Sequence, residues 1–361
     1  MFNTQAFWNE NNACTGAPFS TRKPHAPLEM SFDDHFLVGL VYFDMHRYHQ
    51  DYAYQEMINR QANDVLEKEL GRRFYNERIL HIIPRRIEEV FEAYSLYQDN
   101  QPPWLETNIR SLNDLKKMIS RVREKDIIAE LLPADWENKV IRYQESTGNL
   151  VQWGTGGRGP ATVGTSVIGT TNLCMWMLDA PDLIHEFYSL LAEKYVEYAS
   201  YLRDITGVIA DGWWITDDNC CLFSPALYRK YCAPVLENLF KTFSPSAGSA
   251  RFQHSDSAMA HLMPILRELG VNGVNFGPTI HPQLIRKEMP KAVIHGQIPP
   301  MLLRNGSPQE IIDCVKRDFE SAGLDGGLIC APAGSYDEGT PFENLRCYMH
   351  AVQTETRYHS N

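Results

Sequence analysis

Apolar positions recur along this chain with two periods, and the switching between them predicts its architecture. Over 53–70 (AYQEMINRQANDVLEKEL) they follow helical spacing and stop at Gly71, a residue suited to a helix C-cap. Helical spacing returns over 87–98 and 111–123, whereas 141–151 (IRYQESTGNLV) alternates around Thr147-Gly148-Asn149 and predicts a hairpin. A long helix is expected over 181–204, opened by Pro181 after Asp179. Beyond it the pattern is more regular. Short apolar runs at 207–214, 250–254, 271–276, 292–295 and 327–331 predict strands. Between them lie a helix capped by Ser224 with a stripe at Leu227, Tyr231, Val235, Leu239 and Phe243, then helices over 257–269, 281–288 and 308–321. Ser307 with Pro308 caps the last of these, and Thr340-Pro341 opens a final one.

Strand–helix alternation with short connections is the signature of parallel βα units. Right-handed crossovers and a length of 361 residues favour a single (β/α)8 TIM-type barrel over an open doubly wound sheet. No internal repeat or Gly/Ser linker divides the chain. The expected organisation is an arm over 1–30, poorly ordered or strapped onto the barrel, and one barrel over 31–361.

Composition narrows the function. A formal net charge of −11, with no concentrated Lys/Arg run, argues against nucleic acid or an anionic membrane as partner. No apolar run approaches the roughly 18 residues of a membrane span. The polar first 27 residues lack the apolar core of a signal peptide, so a cytoplasmic location is expected. Eight cysteines are scattered without a CxxC, and there is no HExxH. Most should be reduced and buried. Any metal site must be assembled from residues distant in sequence.

The candidate chemistry gathers at predicted strand ends, the catalytic face of a parallel barrel. His254 ends one strand. Asp256, two residues on, suits metal ligation or the N-cap of the next helix. Asp217 and Asp218 follow another strand in a polar turn; at least one is expected in the pocket, as general base or metal ligand, against an Asx turn as the plain alternative. His295 and Gln297 end a third strand and line the pocket. Asn275, between them in the order of strands, offers an amide to a substrate hydroxyl. Cys330 lies in the last strand and Tyr336 on the loop after it. Arg158 sits in the glycine-rich stretch 154–159 (GTGGRG), where it suits a substrate carboxylate. That stretch lacks the strand–GxGxxG–helix context of a nucleotide site. Trp214, with Trp153, Trp176, Trp213 and Phe276 near other strand ends and loops, would suit an aromatic substrate.

Several segments together resemble the uroporphyrinogen-decarboxylase superfamily. They are GVIADGWWITDD (207–218), FSPALYRKYCAP (223–234), Gln253-His254, ELGVNGVN (268–275), HGQIPP (295–300), LRNGSP (303–308), GGLICAP (326–332) and TPFEN (340–344). Upstream, Arg158-Gly159-Pro160 and APDL (180–183) also fit. The likeness runs from about 100 to 352, and the order of the motifs carries it. The superfamily implies a barrel and contains both uroporphyrinogen decarboxylase and methyltransferases that work with corrinoid proteins. The porphyrinogen enzymes bear an arginine-rich motif, MRQAGRY, that holds substrate carboxylates. Here Met45-His46-Arg47-Tyr48 supplies one arginine, too few for a tetrapyrrole with many carboxylates. The resemblance therefore implies a methyltransferase.

Thiol-methylating zinc members carry His-x-Cys and a distant second cysteine. In this chain His254 stands in the histidine position, Asp256 in that of the first cysteine, and Cys330 immediately precedes the loop 331–335, which has no cysteine where the second would align. A His/carboxylate set makes a harder Lewis acid, suited to the oxygen of a methyl ether. The resemblance implies removal of a methyl group from a small donor, perhaps a methoxylated aromatic, with zinc on His254, Asp256 or Asp218, and Cys330, and with His295 as proton donor. The acceptor would be a corrinoid on a separate protein, because no D-x-H-x-x-G module is present. Homodimers are common in the family. The alternative is a metal-independent decarboxylase or lyase. It would use Asp217 or Asp218 to protonate an electron-rich carbon, and Arg158 or Arg251 to bind the carboxylate.

Overall fold

The computed structural model describes residues 2–98, 101–209 and 211–358. Met1, Ala210 and residues 359–361, within the expected arm, strand and barrel, lie outside them. The chain forms two compact units. One comprises Met1–Glu77, His254–Arg267 and Val271–Asn361, the other Arg78–Gln253 and Glu268–Gly270.

Eight strands form among the described residues. β1 (Tyr94–Gln98) and β2 (Gln101–Glu106) make an antiparallel ladder in the second unit, with Tyr94 opposite Glu106 and Leu96 opposite Trp104. The others run in chain order, as successive βα units require. In the second unit β3 (Gly156–Arg158) lies parallel to β4 (Gly212–Thr216), pairing Gly156 with Trp214 and Arg158 with Thr216. β5 (Ala250–Ser255) begins there, where the Ala250 N–H donates to Asp211 O. It ends in the first unit, where Ser255 O accepts from the Gly277 N–H, just past β6 (Gly273–Phe276). β7 (Val293–His295) runs parallel to β6, and β8 (Leu328–Ile329) parallel to β7 with His295 beside Ile329. This is an α/β fold with parallel strands.

The helices with clear caps lie where the sequence places them: Tyr52–Leu70, Leu112–Glu124, Pro181–Thr206, Pro308–Ala322 and Phe342–Glu355. Two expectations need correction. The helix expected over 87–98 is one turn, Ile87–Val90, followed by β1. The hairpin expected over 141–151 is the end of a helix, Trp136–Thr147. Gly148, at φ 70°, takes the left-handed conformation of a helix C-cap and donates its N–H to Gln144 O. Glycine marks a turn and a helix stop alike, and here the second use won.

The amino-terminal arm opens with a helix packed within the first unit. Asn3 caps the helix Thr4–Asn12, whose Phe7 and Trp8 are buried, and the Trp8 indole N–H donates to Leu70 O at 2.7 Å. The Asn11 amide brackets Leu28, accepting from its N–H at 2.8 Å and donating to its carbonyl at 2.9 Å. Residues 27–29 then run along β8: the Cys330 N–H donates to Pro27 O and the Glu29 N–H to Cys330 O. In the same unit Leu37, Tyr48, Ile58 and Ala62 form an apolar cluster. In the second unit Trp213 stacks on Phe243 and meets Tyr195 edge-on. No helix among the described residues is long and apolar enough to cross a membrane.

Candidate active site

In the first unit the carboxyl ends of β5, β6 and β7 bring His254, Asn275 and His295 into one hydrogen-bonded chain. The Asn275 side chain is buried at 9% exposure, and its Nδ2 donates to His295 O at 2.5 Å and Pro332 O at 3.0 Å. Both hydrogens are therefore committed, and Oδ1 must be the atom that faces His254 Nδ1 at 2.8 Å. An acceptor there places the imidazole hydrogen on Nδ1. The other ring nitrogen, Nε2, lies 3.5 Å from Asp256 Oδ2. In the neutral ring a lone pair then faces a carboxylate, and such a pair is held together by a cation or by a proton on the ring. Asp256 is itself approached closely. Gly334, at φ 102°, leaves no room for a Cβ, which would stand 2.6 Å from Asp256 Oδ1. His254 and Asp256 thus fit two ligands of a divalent ion, with Asn275 as the outer partner that orients the imidazole.

His295 has a partner that sequence reading missed. Its Nδ1 lies 2.7 Å from Glu29 Oε2, and that hydrogen bond holds the Glu29 carboxyl below its ordinary range. The only signal was a charge within the apolar run Ala26-Pro-Leu-Glu-Met30.

Three predicted site residues of this unit take other work. Gln297 is buried, and its Nε2 donates to Phe276 O, Gly277 O and Ile280 O, so it holds the loop after β6 and does not line a pocket. Cys330 is buried, and burial pushes its thiol far up, with Asp318 and Cys314 adding to the effect. Among the described residues, Cys330 is not one of those that gather with His254 and Asp256 within reach of one ion. Tyr336 is fully buried against Phe32 and Phe36 and presents nothing to a substrate.

In the second unit the adjacent aspartates divide, as the turn geometry predicts. Asp217 is fully buried. Its Oδ1 accepts from the Thr162 N–H at 2.8 Å, in the first turn of the helix Pro160–Ile168, and Tyr228 OH lies 3.5 Å from its Oδ2. Burial pushes the carboxyl up to about 6, partly opposed by Thr162. It acts as a cap for that helix. Asp218 opens the short turn after it and is partly exposed. Arg158 donates to Glu88 Oε1 at 3.0 Å and to Ser166, and Glu88 is buried. Its charge is spent on that buried carboxylate and not left for a substrate. Trp214 is 46% exposed and stacks on Phe252.

Comparison with known proteins agrees with this arrangement of strands and motifs. Residues 89–355 match the uroporphyrinogen decarboxylase (URO-D) family model. The chain is 26% identical over 202 residues to a methylated-thiol–coenzyme M methyltransferase of Methanosarcina mazei, a match spanning 54% of this chain and 51% of that protein. It thus covers about half the length of that curated relative. A solved methyltransferase from Methanosarcina mazei shares the fold at a TM-score of 0.61 and 15% identity, covering 98% of each chain. With the family model spanning well over half its length, the chain belongs to the uroporphyrinogen decarboxylase family.

Proposed function

We propose that this protein is a metal-assisted methyltransferase that takes a methyl group from a small donor and passes it to a reduced corrinoid on a separate protein. One observation carries the reading: His254 Nε2 faces the Asp256 carboxylate while Asn275 fixes the hydrogen on Nδ1. His254 and Asp256 would hold the ion, and zinc suits an imidazole–carboxylate pair. When bound, the metal supplies electrophilic stabilisation of negative charge growing on the donor's heteroatom. The parallel strands are taken as parts of a (β/α)8 barrel, in which strand ends carry chemistry.

The transfer balances as follows. The bond from methyl carbon to donor oxygen breaks, the oxygen keeps the electron pair, and the acceptor's own pair forms the new bond to carbon. His295 delivers a proton to the departing oxygen. Trp214, stacked on Phe252, offers a flat surface for an aromatic donor such as a methoxylated ring. Asp256, where thiol-methylating enzymes carry cysteine, favours an oxygen-bound methyl group over a sulfur-bound one. The decarboxylase alternative is weakened by its arginines. Arg158 is matched by Glu88, and Arg251 donates to Leu269 O and Ser244 O.

The test is metal content followed by turnover. The protein purified without chelators should carry about one equivalent of zinc, lost in His254→Ala and Asp256→Asn. Methyl ethers of small aromatics should then methylate a reduced corrinoid acceptor. A folded, metal-free wild type that cannot be loaded with zinc would overturn the assignment.

A further inference from the structure

We infer that Glu29 is a positioning residue, which fixes His295 with Nδ1 as hydrogen donor and so presents Nε2 as its reacting atom. This rests on the role of His295 as proton donor given above. The pair spans 266 positions of sequence, and its Nδ1–Oε2 distance is 2.7 Å. It is not a packing contact: the His295 side chain is 23% exposed and that of Glu29, exposed at the edge of β8, 58%. An ion pair so open adds little to stability, so its value lies in orientation.

The backbone places Glu29 with care. Its N–H is bound to Cys330 O, the Cys330 N–H to Pro27 O, and Asn11 brackets Leu28 on both sides. Strand alternation sends buried Leu28 one way and Glu29 the other. Ile329, the neighbour of His295 across β7 and β8, and Glu29 both border a cavity of about 520 Å3 in this unit. Glu29 therefore stands at the edge of space a ligand can enter. The other charged groups on that wall are Lys23, Arg72 and Arg73, the last tied to Asp64, Glu67 and Glu77. A carboxylate accepting from Nδ1–H stabilises the imidazolium and leaves Nε2 to lose and regain the proton.

The test reads the ring itself and needs neither bound metal nor turnover. In protein carrying 15N-histidine, the His295 signals are assigned by their loss in His295→Gln. Neutral His295 should carry its hydrogen on Nδ1. In Glu29→Ala it should revert towards the Nε2–H form that free imidazole side chains prefer. Glu29→Gln, which retains an acceptor without charge, should keep the Nδ1–H signature. An Nε2–H ring in the wild type, or an unchanged ring in Glu29→Ala with native circular dichroism, would overturn the inference. Either result leaves the metal and methyl-transfer tests standing on their own.

Discussion

At the residue scale the orientation of one amide decides much of the chemistry. Asn275 commits both Nδ2 hydrogens to the carbonyls of His295 and Pro332, so its oxygen alone can face His254. Asn275→Ala removes that acceptor and lets the imidazole turn and change tautomer. Outer partners of this kind typically contribute 10–100-fold to metal affinity. Competition with a chromophoric chelator should show a loss of that order for Asn275→Ala with secondary structure intact; unchanged affinity would make Asn275 a mere strand-end contact. Asp217 offers a second test, through pH. Burial raises its carboxyl from 3.8 to about 6, so the folded chain holds this proton more tightly than the unfolded one. Stability from this group is then greatest below about pH 4, falls as pH rises through 6, and stays reduced above it. Asp217→Asn keeps an acceptor for the Thr162 N–H and removes the buried charge. It should flatten that slope and add up to about 3 kcal/mol near pH 8. Denaturation midpoints between pH 4 and 8 would check it, and parallel slopes in the two proteins would refute it.

At the element scale, caps are what the chain makes legible. Ser307 Oγ accepts from the Glu310 N–H while the Glu310 carboxylate accepts from the Ser307 N–H, a reciprocal pair visible in the string Ser-Pro-Gln-Glu. Ser307→Ala should cost about 1 kcal/mol, seen as a fall of roughly 2–4 °C in Tm. A loss below about 0.3 kcal/mol would mean that Pro308 alone starts the helix. Other elements gave the sequence reader less. β8, two residues long, falls inside the apolar run 327–331 that predicts a strand, but its place beside β7 comes from pairing and not from any visible period. The π-helical turn Tyr228–Cys232 lies inside an otherwise regular apolar stripe, so nothing in the pattern marks it, yet it carries the tyrosine whose hydroxyl approaches Asp217. At the site, His254 and Asp256 were legible because two polar groups followed a strand. Asn275 was legible as a site residue but not in its role, since which atom faces His254 depends on carbonyls 20 and 57 positions away.

At the scale of the whole molecule the candidate metal residues stand on elements that are complete without an ion. His254 and Asn275 end strands, and the backbone of β6 and β7 is paired through Gly273–Val293 and Val274–Ile294. The amino-terminal arm is tied to β8 by backbone hydrogen bonds and to Leu70 by Trp8. Structural zinc sites behave otherwise, because their ligands are brought together only by the metal. Chelation should therefore remove the ion without unfolding the protein. Binding to the native state alone stabilises by RT ln(1 + [L]/Kd), about 2.7 kcal/mol at a hundredfold excess over Kd. The expected outcome is an unchanged far-ultraviolet spectrum with a Tm several degrees lower, restored by adding zinc. In Asp256→Asn the metal-dependent part of the shift should vanish while the metal-free Tm stays close to that of the chelated wild type. Collapse of the spectrum on chelation would instead make the ion part of the fold, and the orientation of His254 by Asn275 a consequence of the metal and not its preparation.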